Sequence, residues 1–294
     1  MTDMIETFTH AAEQPGPKLL ITGAIHGNET CGPVAINRVL KEIDEGKLKI
    51  TCGQVTFVPV CNPRAYAENV RFIERNLNRY LVPMAKPDTY EAQLGNILCP
   101  MLADCDVLLD IHSTPSGGKP YVFVGPHNPK EYAFAASLGT RWLMTGWEET
   151  YANTGRKTET TADVDEGIGT EQVVRMRGKI AALIECGDHN DQAAFEVAYQ
   201  AIHNALTYLQ MTDEKPSPVL QSHLITMSQV YYRTDAGEMT RHWQDFDSVK
   251  KGDLIAKRKS GEELRAPADG LVILPHVDAD IGQEWFYFGT EAAL

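Results

Sequence analysis

Over the first two-thirds of the chain, short apolar runs alternate with segments whose apolar residues recur every three or four positions. "KLLITGAI" (18–25), "QVTFVPV" (54–60), "DVLLDIH" (106–112), "YVFVG" (121–125) and "KIAALIE" (179–185) have the length of strands. They show little alternation, as expected of strands covered on both faces. "VAINRVLKEIDEG" carries Ile36, Val39, Leu40 and Ile43 at helical spacing, with Gly46 placed to end the helix. Helices are also predicted over 90–105 and 191–210, the latter with Ala198, Ala201, Ile202, Ala205, Leu206 and Leu209 on one stripe. This alternation predicts an α/β fold, a mostly parallel mixed sheet flanked by helices.

The pattern changes near "MTDEKPSPVL" (211–220), where Pro, Ser and charged residues read as a linker. Beyond it, "SHLITMSQVYYRT" alternates apolar and polar residues, and later short runs are broken by Gly, Pro and Asp. The expected division is an α/β domain over 1–212 and a small all-β, barrel-like domain over 213–294.

Composition narrows the partners. A net charge of -13 argues against a nucleic-acid backbone or an anionic membrane surface. No secretory signal and no membrane-spanning run is visible, and the six cysteines form no CxxC pair. A cytoplasmic location with free thiols is expected.

Candidate chemistry gathers at strand ends. His26 and Glu29 follow the first strand, and His112 ends "DVLLDIH". The His-x-x-Glu spacing decides nothing, because His10 and Glu13 repeat it in a polar N-terminal stretch. Position carries more, since ligands in open α/β sheets collect beyond the carboxyl ends of strands. Gly23, Gly27 and Gly32 fit a tight turn there. Two histidines and one carboxylate are the ligand set of a catalytic zinc with an open fourth position. The bland alternative is a hydrogen-bonded histidine at the sheet edge and an exposed glutamate in a helical turn.

Four blocks, "GAIHGNETCGP", "NPRAYAENVRFIERNLNRYL", "LLDIHST" and "ALIECG", together resemble the succinylglutamate desuccinylase/aspartoacylase family of zinc carboxypeptidase-like enzymes. The resemblance runs over roughly 18–190. It implies one zinc per subunit on His26, Glu29 and His112, with Glu185 as the catalytic base. It assigns oxyanion stabilisation to Arg64 and substrate carboxylate binding to Asn78 and Arg79. Arg175 falls where relatives bind a substrate side-chain carboxylate, with Arg177 as a near competitor. Tyr287 falls in the C-terminal region that lends relatives a pocket tyrosine, and core packing is its alternative. Arg71 and Arg75 match no family role and read as surface residues, and Asp188 and His189 read as loop residues outside the ligand set.

The C-terminal block looks like the half-barrels of biotinyl and lipoyl carriers but lacks their modified-lysine motif. In related chains such a domain narrows access to the metal cleft. The expected activity is hydrolysis of an N-acyl amino acid, a small-molecule substrate. A carboxypeptidase acting on short peptides and a non-catalytic binding protein are the alternatives. The acyl group, the amino acid and whether the chain forms a homo-oligomer are left open.

Overall fold

The computed structural model describes residues 5–115, 118–126, 128–152, 168–215 and 220–292. The chain forms two compact units, Met1–Leu143 with Ala162–Ser222, and Met144–Thr161 with His223–Leu294. The second unit therefore recruits a segment from mid-chain as well as the C-terminal strands.

The first unit is built on β1 (Phe8–Ala11), β2 (Lys18–Gly23), β3 (Gln54–Val58), β4 (Val107–Thr114), β5 (Tyr121–Phe123) and β7 (Ile180–Asp188). β6 (Trp142–Thr145) runs across the boundary between the units. The strand order is β1-β3-β2-β4-β7-β5. β2, β3, β4 and β7 are parallel, while β1 and β5 run antiparallel to their neighbours. The chain leaves β2 toward β3 on one side and later returns to β4 on the other. This reversal of strand order opens a crevice at the carboxyl ends of β2 and β4.

The helices of this unit are α1 (Cys31–Asp44), α2 (Pro63–Glu68), α3 (Tyr90–Asp104) and α4 (Pro129–Ser137), then, after α5 (Trp147–Ala152) of the second unit, α6 (Thr170–Arg175) and α7 (Gln192–Tyr208). α1 packs on α7 and α3 packs on α6, each against the sheet. Leu20 and Leu108 of the strands join Leu94, Leu98 and Leu102 of α3 and Val174 of α6 in one buried cluster. The expected helix stripe holds: Ile36, Val39 and Leu40 are buried, and Gly46 takes the left-handed conformation that ends α1 (φ 69°). No helix among the described residues is long and apolar enough to cross a membrane.

The second unit is mainly antiparallel. β8 (His223–Tyr232), β14 (Glu284–Ala292), β13 (Gly270–Ile273) and β10 (Asp247–Val249) form one run of paired strands. β9 (Glu238–Met239), β11 (Leu254–Lys257) and β12 (Glu263–Arg265) form a second, three-stranded sheet. Trp243, Trp285, Phe286 and Phe288 fill the core between them. The expected linker partly coincides with residues 216–219, which lie outside the described residues.

Candidate active site

Strand ends and one loop bring the expected ligands together. β2 stops at Gly23, and the chain turns at Ala24, whose φ of 44° is left-handed. The expected glycine turn is therefore made by an alanine. Gly27 serves a different purpose: a Cβ there would lie 2.0 Å from the carbonyl carbon of Ala65, so only glycine lets α2 approach. His112 comes from β4, where its Cα pairs with Glu185 of β7.

His26, Glu29 and His112 are all buried, and they are the one group of three or more candidate ligands among the described residues, with donor atoms within 4.8 Å of one another. Glu29 Oε1 lies 2.8 Å from His26 Nδ1, and its Oε2 lies 2.8 Å from His112 Nδ1. The far nitrogens are occupied. His112 Nε2 donates to Asp110 Oδ2 at 2.9 Å, and His26 Nε2 donates to Asn76 Oδ1 at 3.0 Å. That amide oxygen also accepts the Asn78 N–H at 3.0 Å, which fixes its orientation and so fixes the His26 tautomer. Both Nδ1 atoms then converge on the Glu29 carboxylate, three donor atoms facing one another. The donor set therefore fits a divalent metal, with the outer hydrogen bonds orienting each imidazole.

Charge agrees with this geometry. Burial, followed by the Arg71 charge, pulls His26 down to about 4, which keeps its imidazole neutral and able to ligate. Burial opposes charge on His112 and Glu29 as well. There it is outweighed: Asp110 and Glu29 hold His112 well above the usual histidine value, and the two histidines hold Glu29 well below the carboxylate range. Asp110 is itself held by Thr22 Oγ1 at 2.6 Å and Thr170 Oγ1 at 2.5 Å.

Glu185 stands beside this group. Its Oε2 is buried with no hydrogen-bond partner, and burial, then the Glu29 charge, pushes its carboxyl up to about 8. An unpartnered buried carboxyl oxygen is costly unless a ligand or water completes it.

The arginines fall differently from the expectation. Arg64 is exposed, with its guanidinium 4.7 Å from the centre of the Tyr90 ring. Asn62 caps α2 and Pro63 begins it, and because Ala65 is the residue pressed on Gly27, Arg64 is turned to the surface. Arg71 is exposed, as expected, yet it donates to Glu29 Oε1 at 3.1 Å, and its carbonyl accepts the Gly27 N–H at 3.2 Å. The loop that carries it is gathered by Glu91, a fully buried carboxylate that accepts the N–H groups of Ile73, Glu74 and Arg75 and the Asn62 side chain.

Asn78 is buried and Arg79 half-buried, its Nη1 bonded to the Asn78 carbonyl at 2.7 Å. Arg175 is tied to the fully buried Glu131 at 2.9 Å and packs against Gly125. Arg177 donates to the Val173 carbonyl. Tyr287 is a buried core residue of the second unit, its ring 5.5 Å from that of Trp147. His189, expected to be a bystander, meets Ser113 Oγ at 2.8 Å, and Ser113 N–H donates to Glu29. Sequence signals existed for some of these neighbours: Asp110 and His112 are two apart in a strand and so share a face. None marked Arg71 or Glu91, whose roles depend on loop geometry.

Known proteins are similar to this chain in sequence and in fold. Residues 15–171 match the family model described as the succinylglutamate desuccinylase/aspartoacylase catalytic domain. A probable aspartoacylase of Prochlorococcus marinus subsp. pastoris is 29% identical over 126 residues, 41% of each chain. A succinylglutamate desuccinylase of Vibrio parahaemolyticus is 25% identical over 128 residues, 41% of this chain and 37% of that protein. The chain thus spans about two-fifths of the length of these curated relatives. In fold, it resembles the succinylglutamate desuccinylase/aspartoacylase of Rhodobacter sphaeroides (TM-score 0.80, 17% identity, 98% of this chain and 89% of that one). It also resembles the product-bound ectoine utilization protein EutE (DoeB) of Ruegeria pomeroyi (TM-score 0.74, 19% identity, 98% and 96%). With more than half its length matched by the family model and its fold shared by the family's structures, the chain belongs to the succinylglutamate desuccinylase/aspartoacylase family.

Proposed function

We propose that this chain is a zinc-dependent amidohydrolase that removes the acyl group from an N-acyl amino acid. The observation that carries the reading is the convergence of two imidazole nitrogens and one carboxylate, buried at the carboxyl edge of a parallel sheet. A zinc ion held by His26, Glu29 and His112 would supply Lewis-acid polarisation of the acyl carbonyl and activation of a water. The chain's own residues do the rest. Glu185 accepts a proton from the water that attacks the carbonyl carbon. As the C–N bond breaks, it passes that proton to the leaving nitrogen. The products are a carboxylate and a free amino acid.

The family role first read onto Arg64 fits Arg71 better, because Arg71 touches the ligand Glu29 whereas Arg64 stacks on Tyr90. Its guanidinium favours the negative charge that develops on the carbonyl oxygen. Asn78 and Arg79 bind the substrate's α-carboxylate. Arg175 is set aside from the substrate, since buried Glu131 already holds it.

The reading is tested by loading the protein with zinc and assaying a panel of N-acyl amino acids beside short peptides. Release of free amino acid from one or more N-acyl amino acids, abolished by a chelator and restored by zinc, is expected. Cleavage of peptides alone would make it a carboxypeptidase, and no turnover of either with zinc bound would leave a binding protein.

A further inference from the structure

Behind the two histidines, the hydrogen bonds do not end separately. From His26 Nε2 the path runs to Asn76 Oδ1 (3.0 Å), and that same oxygen accepts the Asn78 N–H (3.0 Å). Asn78 Oδ1 accepts the Thr170 N–H (2.9 Å). The Thr170 hydroxyl donates to Asp110 Oδ2 (2.5 Å), which also accepts from His112 Nε2 (2.9 Å). Glu29 closes the circuit at the front, 2.8 Å from each Nδ1. Asn76, Asn78, Asp110 and Thr170 are all buried, so water does not compete for these bonds.

The circuit is strapped to the backbone. Ile168 N–H donates to the Arg79 carbonyl and Leu81 N–H to the Ile168 carbonyl. A Cβ on Gly169 would lie 2.8 Å from Asn78 Oδ1, so the bare glycine lets the asparagine approach the first turn of α6. Residues 78–81 and the start of α6 therefore move as one piece. Only Thr170 joins that piece to β4 through this circuit. Its hydroxyl also lies 3.3 Å from Glu171 Oε2, but the shorter contact is with Asp110.

We propose that Thr170 is a positioning residue that links metal occupancy at His112 to the order of the Asn78–Arg79 segment. The inference rests on the metal reading above. Ligation fixes the His112 ring and hence Asp110, and Asp110 then holds Thr170 and, through its N–H, Asn78. An empty cage would leave the carboxylate-binding pair less ordered, so substrate groups would be gripped only where the metal is in place.

Thr22 supplies the control. It holds the other Asp110 oxygen at 2.6 Å but makes no bond to Asn78. Amide hydrogen exchange is followed by mass spectrometry in the full-length protein, zinc-loaded and metal-free, for wild type, Thr170→Val, Thr170→Ser and Thr22→Val. Zinc should slow exchange in residues 76–81 and 168–172 of wild type, Thr170→Ser and Thr22→Val. In Thr170→Val that slowing should fall to a third or less. Competition with a chelator should show zinc affinity lower by about tenfold in Thr170→Val and near wild type in Thr170→Ser, the range for lost outer hydrogen bonds. Equal zinc-induced slowing in wild type and Thr170→Val, or slowing confined to 24–30 and 110–114, would overturn the proposal. Wild type that binds no zinc would overturn both this proposal and the metal reading. Intact zinc-dependent slowing without deacylation would remove the substrate assignment alone.

Discussion

Glu29 receives two imidazoles and a guanidinium on one carboxylate, and this crowding explains most of the local chemistry. Because Arg71 shares an oxygen of Glu29 with His26, removing its charge should be felt at the reacting centre. Arg71→Ala is expected to lower kcat by about 10²- to 10³-fold, the usual cost of one oxyanion donor. Arg64→Ala should stay within a few-fold, and steady-state assays of the two side by side check the assignment. The opposite ranking would restore the role first read onto Arg64. Glu185 makes a separate prediction in the metal-free protein. Burial pushes its carboxyl up to about 8 in the folded chain, against an ordinary value of 4.5, so between these values the native state holds a proton that the unfolded chain lacks. The stability this group contributes is complete below 4.5 and is lost as pH rises through 8, at about 1.4 kcal/mol per pH unit in between. Denaturant titrations of wild type and Glu185→Gln across that window should diverge, with the wild type losing the more stability. Parallel curves would mean that the carboxyl is not raised.

The elements differ in how much of their role the sequence announces. β2, α1, β4 and α7 were legible because apolar periodicity and end signals are local, and the three ligands were legible because His26 and Glu29 lie in the loop after β2 and His112 near the end of β4. The loop between α2 and α3 was not. Its shape depends on Glu91, a carboxylate buried in the first turn of α3 that collects N–H groups from residues 73–75, and nothing in the pattern of residues 70–80 tells which arginine that folding brings to Glu29. The same limit applies to α6: Arg175 lies where a substrate contact was expected, yet Glu131, distant in sequence, claims it. Arg175→Ala should therefore destabilise the protein by roughly 3 kcal/mol, near the low end for breaking a buried pair because Arg175 is 20% exposed. Turnover per folded molecule should remain near wild type. A KM raised tenfold or more with stability unchanged would return Arg175 to the substrate. The family match itself ends at residue 171, so Glu185 is supported by its register opposite His112 and by its unpartnered oxygen.

On the scale of the whole molecule, an acidic chain with net charge -13 concentrates Arg71 and two imidazoles around one buried carboxylate. A cage assembled from the β2–α1 loop and β4 would tie the proposed metal affinity to folding, because the ligands meet only in the native state. A bound ion at a thousand times its dissociation constant adds about 4 kcal/mol of stability. Zinc should accordingly raise Tm in wild type, and the rise should vanish when a ligand is lost. The most direct measurement is the metal stoichiometry of wild type and Glu29→Ala after equilibrium dialysis against zinc at fixed pH. One zinc per wild-type chain, and none retained by Glu29→Ala at the same free zinc, is the expected result. A wild type without zinc, or a Glu29→Ala chain that keeps its full complement, would contradict the cage formed by His26, Glu29 and His112.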